Sequence, residues 1–340
     1  MPVQPLTIRR IFWTCGLLAL LLFAIVVVSL KLGAYPIPVQ DVVMSLVRRA
    51  IGRGEHIPTD YRLVIFELRL PRIALGILVG AALSVSGAGF QALLRNPLAD
   101  PYVLGVSSGA ALGAILSLIW APHVPLAMQG AAFAGAALTI SSVYFLGRRG
   151  GQLDSATLLL AGIISASFLS AVIMFLMTTL SGRDLRGMAF WLMGDLASAP
   201  PIHLGFLFLV LLLAIGAIYT TASDLNLLLT GEQEARHLGV NVGRVKLVVY
   251  VAASLLTGLA VSVSGAIGYV GLLVPHVMRI LFGTDNRLLI PTTALGGAIV
   301  IVAADTLART VVAPTELPVG AMTALAGAPV FIFLLRRRLG

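Results

Sequence analysis

Nine runs of apolar residues, near 11–32, 70–94, 102–121, 124–147, 156–180, 202–222, 245–266, 288–309 and 318–335, take up most of this 340-residue chain. A helix needs about 20 such residues to cross a hydrocarbon core about 30 Å thick, and each run is close to that length. A tenth run, 269–283, is too short to cross comfortably alone. Only 11% of the residues are charged and the mean hydropathy is +1.01, so the chain cannot keep a surface of ordinary size wet. Period-2 alternation is absent, which argues against a membrane β-barrel. The expectation is an all-α polytopic membrane protein, one domain over 1–340, with about ten transmembrane helices and the eighth short or broken.

The first run follows Arg9 and Arg10, exceeds a signal-peptide core in length, and has no small-residue cleavage site after it, so it reads as a retained span. The lone cysteine, Cys15, excludes an intrachain disulfide. A net charge of +9 would suit nucleic acid, but the basic residues are scattered through short loops, the pattern of membrane topology. Alternate loops hold Arg9, Arg10, Arg95, Arg148, Arg149, Arg236, Arg244, Lys246, Arg279, Arg287, Arg336, Arg337 and Arg338, which is 13 of the 23 basic residues. The positive-inside rule then places both termini in the cytoplasm, by a thin margin. The excess on the other side concentrates in 31–72.

The pentapeptide Ser-Val-Ser-Gly-Ala occurs twice, at 84–88 and 262–266, an offset of 178 residues. The same offset pairs Gly80 with Gly258, Pro97 with Pro275 and Gly105 with Gly283. The copies lie in the second and seventh spans, an odd number of crossings apart, and so should run oppositely. Spans two to five and seven to ten, about 62–180 and 240–336, are expected to form an inverted repeat. The small residues Ser84, Ser86 and Gly87, with Ser262, Ser264 and Gly265, should let helices approach closely and should end a helix once near each face. Pro97 and Pro275 are the matching expected breaks.

Chemistry is sparse. Neither lysine, Lys31 or Lys246, follows a glycine, so no phosphate-cradling loop is present. The five histidines form no metal-ligand pair, and no catalytic constellation stands out. His276, at an expected helix start after Pro275, reads as structural. Asp305 is the one plausible intramembrane carboxylate for ion coupling, but Arg309 lies one turn away and can neutralise it. Neither an enzyme nor an ion-driven carrier is the favoured reading.

Residues 68–114, "LRLPRIALGILVGAALSVSGAGFQALLRNPLADPYVLGVSSGAALGA", closely resemble the second and third spans of the FecCD-type permeases. These are membrane subunits of ABC importers for iron-siderophores, haem and vitamin B12. "GEQEARHLGV" (231–240), "SGAIGYVGLLVPHVMRILFGTDNRLLIP" (264–291) and "ELPVGAMTALAGAPVFIFLL" (316–335) resemble the same family in the same order. The likeness implies a second permease subunit, expected to be an identical copy, with two ABC ATPase subunits and a periplasmic binding protein. It implies no cofactor on this chain, ATP and Mg belonging to the ATPase. The setting it implies is the bacterial inner membrane, and "FWLMGDL" leans slightly toward corrinoid-carrying members.

Residue by residue, the likeness makes 223–246 the ATPase-coupling segment. Leu225, Leu228, Leu229, Ala235 and Leu238 sit there at helical spacing, and two short helices broken at Gly231 and ended at Gly239 would fit. Glu232 and Arg236 belong to the same motif. Arg69, Arg72 and Arg309 are implied docking points for acids of the binding protein. Asn96, Leu98 and Ser155 are implied to narrow the cytoplasmic end of the path. A short helix is expected within 183–201, where Trp191 reads as an interfacial aromatic or part of an outer gate.

Overall fold

The computed structural model describes residues 6–33, 35–52, 57–149, 152–180, 182–197, 204–313 and 315–339. Among the described residues, ten apolar helices occupy the ten runs: α1 (Ile8–Lys31), α3 (Thr59–Leu93), α4 (Val106–Trp120), α5 (Ala127–Leu146), α6 (Ser155–Met177), α8 (Leu204–Thr220), α11 (Val242–Ser264), α12 (Val270–Phe282), α13 (Asn286–Thr310) and α14 (Val319–Leu339). Four further α-helices among the described residues are α2 (Val39–Ala50), α7 (Gly182–Leu192), α9 (Ala222–Leu228) and α10 (Glu232–His237). Among the described residues the architecture is all-helical apart from a short antiparallel pair between α5 and α6, where Arg148 pairs with Leu153 and Arg149 with Gln152. Short α12 agrees with the brevity of its run. Helix α7 overlaps 183–201, where a short helix is expected, starting one residue earlier, while 198–203 lie outside the described residues.

Helix α3 is the axis of the molecule. Its second half, from Val79 to Leu93, is buried throughout. Ser86 Oγ donates to Ala253 O, Gly89 faces Val249, and Phe90 meets Tyr250 edge to face at 5.9 Å. Rising numbers on α3 thus meet falling numbers on α11, so the two helices run antiparallel. Helix α13 also runs against α3, since Gly76 faces Ile301 and Gly80 faces Gly297. In lipid such helices are held by close packing rather than by expulsion of water, and small side chains allow it. A Cβ on Gly80 would come within 2.3 Å of Gly297 O.

The two pentapeptides do different things, which corrects the expectation that each ends a helix. Ser84, Ser86 and Gly87 are buried in mid-helix, with α3 running on to Leu93. Only the second copy stops one: Ser262 and Ser264 close α11, and Gly265 leaves it at φ +66. Gly87 lies against the backbone of Gly271, just beyond that break, where a Cβ would meet the Gly271 carbonyl oxygen at 1.8 Å. One copy makes the gap and the other packs on the first turn of the helix just past it.

The prolines diverge likewise. Pro97 lies in the loop after α3, whereas Pro275 sits inside α12 and starts nothing. His276 is therefore in mid-helix. Pro275 has no N–H, so the carbonyl of Gly271, four residues back, loses its helical donor. Gln91 Nε2 lies 3.4 Å from Gly271 O and 3.2 Å from Leu272 O and donates there. A side chain from α3 thus satisfies backbone that α12 cannot, and the helix continues through its proline.

Helix α3 begins at Thr59, well before the expected 70. Pro71 again supplies the reason. Its ring crowds the preceding turn, which widens to π-type bonding over Leu63–Arg69, with Leu70 N–H reaching Ile65 O five residues back. Trp191 is 7% exposed and packs on the break after α11, its carbonyl 2.0 Å from where a Cβ on Gly265 would lie. That burial corrects the interfacial-aromatic reading. Asp195 N–H donates to Ser264 O at 2.8 Å and ties the same segment to the end of α11.

Candidate functional site

Polar side chains gather at the two ends of the helix stack, termed here the Arg72 end and the Asn226 end. At the Arg72 end, Asp305 is 2% exposed and lies between two guanidinium groups. Arg72 Nε and Nη2 donate to Asp305 Oδ1 at 3.0 and 2.8 Å, and Arg309 Nε lies 3.1 Å from Asp305 Oδ2. Arg72 Nη1 donates outward to Glu316 Oε2 at 2.7 Å. Arg309 Nη2 donates to Ser29 Oγ at 2.7 Å, fastening α13 to α1. The Asp305–Arg309 pair expected from their spacing is present, with Arg72 as a second partner.

Arg69 and Arg309 require a correction as docking points. They are 6% and 5% exposed, and their donors are turned inward. Arg69 donates to the carbonyls of Leu30 and Tyr35, passing over Gly33. The cause is the wide turn before Pro71 together with the sharp bend after α1, which bring carbonyl oxygens within reach of a desolvated cation. Arg72 differs in reaching an exposed carboxylate, Glu316, whose side chain is 46% exposed.

The Asn226 end carries α9 and α10. Leu225, Leu228 and Ala235 point inward and are at most 1% exposed, while Leu229 and Leu238 stand out at 46% and 64%. Gly231, at φ +142, separates the helices, and Gly239, at φ +87, follows the second, as the sequence leads one to expect. Arg236 is in the last turn of α10. Two polar anchors hold the segment. Asn226 Nδ2 donates to Asp285 Oδ1 at 2.8 Å, and Asn226 Oδ1 accepts from Asn286 N and Nδ2, each at 2.9 Å. The Arg287 guanidinium, and then the Asn226 amide, hold the Asp285 carboxyl down at about 2. Glu232 is the other anchor, taking Lys246 Nζ at 2.6 Å and Arg95 Nη2 at 3.7 Å.

The 95–101 loop lies beside this segment. Asn96 Oδ1 accepts from Leu98 N at 2.9 Å, a turn that leaves Leu98 47% exposed. Asp100 Oδ1 accepts from Tyr102 N at 3.0 Å and starts the short 3₁₀ turn Pro101–Leu104. Burial raises the Asp100 carboxyl to about 6. Tyr102 Oη accepts from Ile267 N at 2.9 Å, so this loop is tied directly to the break after α11. Ser155 is the first residue of α6, behind the Asp154 cap. Gln91, Arg95, Leu229, His276 and Arg279 line a cavity of about 320 Å³ between the loop, the end of α9 and α12.

Sequence reasoning passed over four residues that the fold makes central here: Gln91, Asn226, Lys246 and Glu316. Lys246 carried a signal, being one of two lysines and standing at the start of an apolar run. The others had none, because the partners named for them are 59 to 244 residues away.

A family model described as the FecCD transport family matches residues 20–337. The chain belongs to that family. It is 38% identical to the cobalamin import system permease protein BtuC of Halobacterium salinarum, with 97% of each chain aligned. It is 44% identical to the hemin transport system permease protein HmuU of Yersinia pestis, across 80% of this chain and 83% of that one. A solved structure assigned to the metal-chelate type of ABC transporter, in an inward-facing conformation, superposes with a TM-score of 0.81 at 32% identity. It covers 96% of this chain and 99% of its own. The protein is accordingly a multi-pass membrane permease subunit, a transport component rather than an enzyme.

Proposed function

We propose that this chain is the permease of a binding-protein-dependent ABC importer that moves a bulky metal chelate, a corrinoid, haem or ferric siderophore, into the cytoplasm. The observation that carries the reading is the coupling segment. Two short helices pinned by Asn226 and Glu232 hold Leu229 and Leu238 outward as apolar knobs, the form needed to sit in grooves of an ATPase. On this reading the Asn226 end faces the cytoplasm with both termini, in a bacterial inner membrane. The Arg72 end receives the binding protein, through Arg72 and Glu316 rather than the buried Arg69 and Arg309. A second copy completes the path, and the apolar faces that α6 and α14 leave open suit that role, with Phe168 66% and Leu325 77% exposed. Spans two to five and seven to ten then act as oppositely directed halves, with Asn96, Leu98 and Ser155 at the cytoplasmic gate.

An ion-driven carrier fits less well. Its one candidate carboxylate, Asp305, is locked between Arg72 and Arg309. The deciding experiment is uptake into proteoliposomes holding the chain with its ATPase and binding protein, with cyanocobalamin, haem and a ferric siderophore offered in turn. Accumulation of one of them, dependent on ATP and lost when 231–239 are deleted, is the expected result. Accumulation by the chain alone would overturn the reading.

A further inference from the structure

Glu232 opens the second helix of the coupling segment and meets two cations from distant parts of the chain. The partners differ in kind. Lys246 Nζ lies 2.6 Å from Glu232 Oε1, and the Lys246 side chain is only 6% exposed, so this contact is shielded from water and fixes Glu232 against α11. Arg95 Nη2 lies 3.7 Å from the same oxygen, and its side chain is 43% exposed. That separation is longer than a hydrogen bond and open to screening. One carboxylate oxygen thus has a tight partner on a span and a loose partner on the 95–101 loop.

The loose contact is placed to act on that loop. Arg95 holds φ +50, a conformation uncommon for a residue with a Cβ, and it directly precedes Asn96, whose side chain makes the turn to Leu98. Farther along the loop, Tyr102 is bonded to Ile267 at the break after α11. A pull on the Arg95 guanidinium therefore reaches the turn at Asn96 first. Closing the Arg95–Glu232 gap to a charge-assisted hydrogen bond needs a shift of about 1 Å, within the range of rigid helix movements.

We propose that Glu232 and Arg95 are positioning residues that pass movement of α10 to the 95–101 loop, with Lys246 holding Glu232 in register. Positioning is meant strictly, since neither residue meets the transported solute. The link joins two segments 137 residues apart, and it supplies what the importer reading, on which it rests, leaves open: how a shift at the ATPase contact reaches the gate.

The test uses the full chain assembled with its ATPase subunits in nanodiscs, with Cys15→Ala as background and spin labels at Leu98→Cys and Trp120→Cys, two exposed sites. In this parent, addition of nucleotide is expected to shift the 98–120 distance distribution. Arg95→Gln and Glu232→Gln should each reduce the shifted population about tenfold, whereas Arg95→Lys should keep it within about twofold. Arg95 is half exposed, so its two variants decide the matter even where Glu232→Gln assembles poorly. A shift in Arg95→Gln equal to that of the parent overturns the link alone. A parent that shows no shift with nucleotide overturns the link and the importer reading together.

Discussion

Asp305 shows how a single side chain can serve as a keystone without being a coupling site. It is 2% exposed and pairs with Arg72 and Arg309 at once, so removing its charge leaves the desolvated Arg309 without its carboxylate and Arg72 with Glu316 alone. Asp305→Asn should cost about 3–5 kcal/mol, read as a lower unfolding temperature in detergent. Gly87→Leu should also destabilise, by about 1–3 kcal/mol, because the new side chain would drive into the Gly271 backbone. Gly16→Leu, with nothing within 4 Å of an added Cβ, is the matched control. Asp100 makes stability depend on pH. Its folded-state value, about 6, lies above the ordinary 3.8, so the folded state binds the proton more tightly than the unfolded chain does. Its contribution is fully present below about 4 and is lost as pH rises through about 6. Asp100→Asn keeps the cap on Tyr102 but not the titration, and its unfolding temperature should change less between pH 5 and 7.

At the scale of the element, α12 is a helix that its own sequence should interrupt. Gln91 carries it past Pro275, so the helix depends on a residue of another helix. Gln91→Leu leaves the Gly271 and Leu272 carbonyls without that donor and should cost about 1–3 kcal/mol. Pro275→Ala restores a backbone N–H that can bond Gly271 itself. In that background the same Gln91→Leu change should cost less, and a double-mutant cycle on unfolding temperature reads the difference. Equal costs in both backgrounds would rule out the repair. Half of this arrangement was legible, since Pro275 in an apolar run signals a break. The other half was not, because nothing in a sequence states which distant amide will face an orphaned carbonyl. Helix α2 was missed for another reason: Asp41, Arg48 and Arg49 make its run amphipathic rather than apolar, and a search for spans passes over it.

In the whole molecule, the long-range ion pairs among the described residues divide between the two ends. The Arg72 end is an ion network tying α1, α3 and α13 together; the Asn226 end ties α9 and α10 to α11, α13 and the 95–101 loop. A change at an exposed knob should therefore act on transport rather than on the fold. Leu238→Asp is expected to leave the unfolding temperature within about 0.5 kcal/mol of the parent in stability, as for other surface substitutions. It should reduce ATP-driven uptake in the reconstituted system at least several-fold. Unchanged uptake would remove Leu238 from the coupling contact.

Taken alone, the order of residues determined the apolar helices, the family, the two short helices around Gly231 and the pairing of Asp305 with Arg309. Each is a matter of local length, period or spacing, and the bilayer, by forbidding unsatisfied backbone, leaves an apolar run few alternatives to a helix. Tertiary structure decided which pentapeptide ends a helix, that Arg69 and Arg309 turn inward, that Gln91 mends α12, and that Glu232 meets Arg95. Those outcomes depend on which desolvated donors and acceptors come within about 3 Å of one another once helices pack, and that is a property of the packed molecule rather than of neighbours along the chain.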